Sequence, residues 1–119
     1  MELYKWEEIA EEPITELLTR RYISGEQVTL AKFFLKKGCL VQAHSHENEQ
    51  LSTVVSGALR FVVDGAPVTV KAGETLLIPP FSSHSAEALE DSEVLDVFSP
   101  VRKDWIEGRD DYLRGNSDE

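Results

Sequence analysis

His44, His46 and His84 are the only histidines in a chain of 119 residues. His44 and His46 stand one residue apart. On a β-strand that spacing puts both side chains on one face. A neutral imidazole offers one ring-nitrogen lone pair, so two that converge can begin a metal site. A second chemical signal lies in the stretch EVLDVFSPVRKDW. Val94, Asp96 and Phe98 alternate to one face and Leu95 and Val97 to the other, the pattern of a strand buried on both sides. An aspartate in such a strand is costly unless it is partnered or used. Asp96 is therefore either bonded to Arg102 or a turn, or projected into the interior as a working carboxylate.

These residues need elements to hold them. From residue 27 onward the chain reads as short β-rich runs, at 28–35, 51–57, 58–63, 67–71, 74–79 and 93–99. Turn residues separate them: Lys-Lys-Gly at 36–38, Asp64-Gly65, Ala72-Gly73, Pro79-Pro80 and 90–92. Asp64-Gly65 between alternating runs predicts a tight hairpin. The pattern implies one all-β domain over 1–119, a sandwich or barrel. Residues 1–27 read as an arm, with Pro13 breaking any long helix. Residues 101–119 read as a short C-terminal helix or arm, in which Trp105 and Tyr112 serve as packing, and the terminal Gly-Asn-Ser-Asp-Glu is expected to fray. Arg60 is expected to face solvent.

Twenty-two acidic against twelve basic side chains give a net charge of −10. Such a field repels phosphate backbones and argues against nucleic acid as a partner. No apolar run approaches the roughly 18 residues of a membrane span. The N-terminal stretch lacks the apolar core of a signal peptide. Cys39, the single cysteine, cannot form an internal disulfide and reads as a small buried side chain. Together these features predict a cytoplasmic protein. The arm and the two-sided last strand predict a homodimer.

Gly38-x5-His44-x-His46-x3-Gln50-x6-Gly57 resembles the first motif of the cupin family, and Gly73-x5-Pro79-x4-His84 the second. The resemblance spans about residues 28–100. It implies a double-stranded β-helix, the jelly-roll barrel, with a divalent transition metal held by His44, His46, Gln50 and His84. Zinc, nickel, iron, manganese and copper all suit such a donor set. The chain departs from the pattern at three places: Gln50 replaces a glutamate, Phe81 a glycine and Ala88 an asparagine. With Gln50 every ligand is neutral, so a bound ion would keep its full charge and favour an anionic oxygen. Glu49 would point to the opposite face of an extended strand.

Asp96-x-Phe98-x-Pro100-x-Arg102 looks like the tail of the metal-binding cupins of pectin degradation. Those proteins open the ring of 4,5-unsaturated uronates from pectin and alginate. The resemblance implies Asp96 as the acid/base group, Phe98 as a pocket wall and Arg102 as the bidentate partner of a substrate carboxylate. A metal-dependent enzyme acting on a small carboxylated molecule is the leading expectation. A metal-dependent dioxygenase and a non-enzymatic sugar-binding cupin are the alternatives.

Overall fold

The computed structural model describes residues 1–115. Ten antiparallel strands form two sheets. The larger has six strands in the order β1 (Glu12–Thr15), β2 (Leu18–Ser24), β3 (Thr29–Leu35), β10 (Ser92–Ser99), β5 (Glu49–Ser56) and β8 (Thr75–Ile78). The smaller has four in the order β4 (Leu40–His44), β9 (His84–Ala88), β6 (Ala58–Val63) and β7 (Ala66–Lys71). Among the described residues no helix is long and apolar enough to cross a membrane. The expected arm is partly regular: after a 3-10 turn at Trp6–Glu8, β1 and β2 widen the larger sheet. The expected fraying of the terminus falls on residues 116–119, outside the described residues.

Alternation makes this jelly roll. In β3, Thr29, Ala31, Phe33 and Leu35 are buried while Leu30, Lys32 and Phe34 face outward; in β10, Val94, Asp96 and Phe98 point in, as their spacing predicts. Leu59 and Phe61 of β6 and Val70 of β7 face them from the smaller sheet and join the core cluster. The Asp64-Gly65 turn is the predicted hairpin, with φ of 48° and 84° at its two central residues. Gly57 has φ of 89°, and a Cβ there would run into Ser92 and Asp91. That contact explains the last glycine of the first motif.

After β10 the chain closes over one end of the barrel. The helix α1 (Lys103–Ile106) buries Trp105, and a 3-10 turn at Asp111–Arg114 buries Leu113. Trp105 meets Tyr22, Phe33 and Phe98 edge-on, with centroids 5.1–5.9 Å away. Buried Arg20 of β2 pins the tail by bonding Asp110 at 2.9 Å, and it also pairs with Glu12 at 2.9 Å. Its guanidinium lies over the Trp105 ring at 4.6 Å.

Candidate metal centre and the cavity behind it

Both sheets contribute to one cluster. His44 ends β4 and His84 begins β9, and the two are paired in register. Gln50 of β5 pairs with Phe98 of β10, and Ser52 with Asp96. His46 is not on a strand: it lies in the connection from β4 to β5. The two-residue strand period therefore does not bring the histidines together; a turn does. Asn48 fixes that turn. Its carbonyl accepts from His46 Nδ1 at 3.1 Å, and its buried side-chain amide donates to the carbonyls of Pro100 at 2.5 Å and Val101 at 3.2 Å.

One donor atom from each of His44, His46 and His84 lies within 4.8 Å of the others. Backbone carbonyls orient all three rings. His44 Nδ1 faces the Gln42 carbonyl at 2.8 Å and His84 Nδ1 the Ser82 carbonyl at 2.9 Å, as His46 faces that of Asn48. A carbonyl only accepts, so each Nδ1 carries the hydrogen and each Nε2 is left with a lone pair. Burial holds the rings neutral. It takes the His44 pKa down to about 3, and burial together with the Arg102 charge takes His46 down to about 4; His84 is lowered as well, again chiefly by burial.

The residues fit a divalent cation on three counts. The buried Nε2 of His84 has no hydrogen-bond partner. His46 Nε2 stands 3.1 Å from Gln50 Oε1, two lone-pair atoms facing each other, because the Gln50 amide nitrogen is turned to Ser52 Oγ at 2.9 Å. The nitrogen-rich, thiolate-free set matches the preferences of first-row divalent ions. His44, His46 and His84 thus form a group able to hold a divalent metal ion, and Gln50 stands beside it.

Behind the histidines lies a cavity of about 60 Å³, lined among others by Asp96, Phe98, Arg102, Trp105 and Tyr112. Asp96 Oδ1 is buried and unpartnered. Burial pushes its pKa up to about 7, against the opposing pull of a Ser52 hydrogen bond and the Arg102 charge. Phe98 walls the cavity between His46, at a centroid distance of 5.8 Å, and Arg102, whose guanidinium is 4.6 Å from the ring. Arg102 is buried but not idle. Its Nε and Nη2 take the Asp104 carboxylate at 3.0 and 2.7 Å, and Nη2 also donates to the Tyr112 hydroxyl at 2.6 Å. The bidentate grip expected for a ligand carboxylate is held by Asp104. Burial disfavours the Arg102 charge, but Asp104 and Tyr112 outweigh it and raise its pKa.

Asn48, Arg20 and Asp104 escaped sequence reasoning, and Tyr112 was read as packing alone although it lines the cavity. Only Asn48 carried a signal: it is the one uncharged residue of the three between His46 and Gln50. Arg60 faces solvent and Cys39 is buried, as expected. Phe81, at the position where the motif has glycine, keeps a left-handed backbone, φ 65°, and its amide donates to the His46 carbonyl at 2.8 Å.

The two-sheet barrel with inward histidines from its motif positions is that of the cupins. The family model described as "Cupin domain" matches residues 31–98, and the chain belongs to that family. Among solved structures it is similar to KdgF from Halomonas sp., with 26% identity and a TM-score of 0.82 over 88% of this chain and 98% of that one. It is similar to an RmlC-like cupin from Shewanella frigidimarina NCIMB 400, with 28% identity and a TM-score of 0.83 over 88% and 96%. A variant of oxalate decarboxylase from Bacillus subtilis shares the fold, with 18% identity and a TM-score of 0.74 over 82% of this chain and 29% of that one. Among curated proteins none matches significantly.

Proposed function

We propose that this protein is a metal-dependent enzyme that opens 4,5-unsaturated uronate monosaccharides to their linear keto form. The observation that carries the proposal is Asp96. A buried carboxyl with a free oxygen and a pKa near 7 shares one cavity with His44 and His84. The likeness to KdgF and the Asp96-x-Phe98-x-Pro100-x-Arg102 tail support the choice of substrate.

The reaction is an isomerisation. The hemiacetal hydroxyl loses its proton and the bond from the anomeric carbon to the ring oxygen breaks. The released enol becomes a ketone as carbon 4 takes up a proton, so no atom is gained or lost. Near neutral pH both forms of Asp96 are populated, so its carboxylate can accept the hydroxyl proton and its acid form can return one to carbon. Phe98 keeps that wall apolar, which holds the carboxyl pKa high. The positive charge of Arg102 beside the cavity favours an anionic sugar despite the net charge of −10. His44, His46 and His84, with Gln50, would hold the metal, which when bound supplies Lewis-acid polarisation of substrate oxygens.

Absorbance of the conjugated double bond of a purified unsaturated uronate monomer tests this. Its loss should accelerate with the protein and return to background in Asp96→Asn and after metal removal. An unchanged rate with metal demonstrably bound would refute the proposal and turn attention to oxygen-dependent chemistry.

A further inference from the structure

The cavity, at about 60 Å³, is far smaller than the roughly 300 Å³ at the low end of small-molecule sites. The chain's own tail forms part of the cavity wall through Trp105, Tyr112 and Leu113. The Tyr112 ring lies over His44 with centroids 4.5 Å apart, and its hydroxyl reaches into the cavity wall. There the Tyr112 oxygen accepts from two donors, Arg102 Nη2 at 2.6 Å and Trp105 Nε1 at 3.1 Å.

The two donors are fixed. Arg102 and Trp105 are buried, and the Arg102 guanidinium lies 4.4 Å from the Trp105 ring. The acceptor belongs to the last turn of the described chain. Tyr112 sits on the 3-10 turn Asp111–Arg114, which is seated by Leu113 in the core and tied by Gln42 Nε2 to the Tyr112 carbonyl at 3.3 Å and by Arg114 to Asp110 at 3.2 Å. Asp110, just before the turn, is the point that Arg20 anchors.

We propose that Arg102 and Trp105 form a carboxylate subsite, that the Tyr112 hydroxyl occupies it in the free protein, and that a carboxylate-bearing ligand enters by displacing Tyr112 with the turn Asp111–Arg114. The proposal rests on the reading that this cavity is the functional site, and it adds the way in. Two N–H donors, one of them cationic, converge on one oxygen position. A phenol oxygen meets their geometry but carries no charge, whereas a carboxylate oxygen meets both. Asp104 already takes Nε and one Nη2 hydrogen, so the hydrogens aimed at this position are the other one on Arg102 Nη2 and the one on Trp105 Nε1. That suits a single carboxylate; a phosphate dianion would meet the Asp104 charge with too few donors. Moving the Tyr112 ring also uncovers His44, so the ligand reaches the histidine cluster by the same step.

The test compares wild type with Tyr112→Phe by calorimetric titration of the metal-loaded protein. The probes are D-glucuronate, a saturated uronate with no enol ether to open, and glucose, its neutral counterpart. Losing the hydroxyl frees both donors beforehand, so glucuronate should bind about tenfold more tightly, the worth of one hydrogen bond to a charged donor that no longer has to be broken. Glucose should gain nothing. Arg114→Ala, which loosens the turn without touching the cavity, should shift affinity the same way, and glucuronate should speed amide exchange in residues 111–114. An unchanged or weaker affinity in Tyr112→Phe, an equal gain for glucose, or no glucuronate binding by either protein would each overturn the subsite. Ring opening is read separately by absorbance. Its absence with the glucuronate selectivity intact would sink the proposed reaction and leave the subsite standing.

Discussion

Asp96 sets the behaviour of the site at the scale of single residues. Its folded pKa of about 7 stands above the ordinary 3.8. Between those values the unfolded chain releases the proton while the folded chain keeps it, so stability falls as pH rises from 4 to 7 and stays reduced above. Metal-free Asp96→Asn should therefore exceed the metal-free wild type by about 2–4 kcal/mol at pH 8, with the gain vanishing near pH 4. Urea denaturation at the two pH values reads the difference, and an equal gain at both would show that the carboxyl does not titrate in this range. Phe81 presents a second residue-level conflict. Its left-handed φ of 65° comes with a side chain 71% exposed, so little burial repays the strain. Phe81→Gly is expected to raise stability by about 1 kcal/mol, visible as a higher melting temperature.

Among the elements, the glycines at turns separate two physical demands. Gly57 and Gly73 share φ near 89°, 89° and 88° respectively, but a Cβ at Gly57 collides with Ser92 and Asp91 while one at Gly73 meets nothing within 4 Å. Gly57→Ala should cost about 2–4 kcal/mol and Gly73→Ala about 1, the latter from backbone strain alone. Thermal denaturation of the pair checks the order. The same contrast marks what sequence could reveal. Strands β3, β5, β6, β7, β8 and β10 were legible because a period of two is local, as was the Asp64-Gly65 hairpin. Strand β9, His-Ser-Ala-Glu-Ala, has neither β-branched nor aromatic residues, and it exists because β4 and β6 pair with it on both sides. The motif spacing named the histidines, but it assigned His46 to a strand when a turn holds it. Arg20 with Asp110 and Asn48 with Pro100 are 90 and 52 residues apart, and nothing in a local pattern announces such pairs.

At the scale of the molecule, the outer face of the larger sheet carries an apolar row. Ile23, Leu30, Val97, Leu51 and Leu77 are consecutive register partners across β2, β3, β10, β5 and β8. At about 4.8 Å per strand the row runs about 19 Å, and Leu51 and Leu77 remain 40% and 53% exposed. An apolar band of this kind favours self-association, and we expect a homodimer through it. Light scattering after gel filtration should give twice the chain mass, and Leu51→Glu should give the monomer with its circular dichroism unchanged. A wild-type monomer would count against the pairing. One last consequence follows from the backbone carbonyls that hold the three Nδ1 hydrogens. With every Nε2 already bare near neutrality, filling the centre displaces no histidine protons. Of the cavity's groups, Asp96 alone is poised to exchange a proton there. The heat of metal uptake by Asp96→Asn at pH 6.5, where a metal-bound water largely keeps its proton, should thus be the same in PIPES and in MOPS, two weakly coordinating buffers of different ionisation enthalpy, because the folded chain enters and leaves that equilibrium with its proton inventory intact.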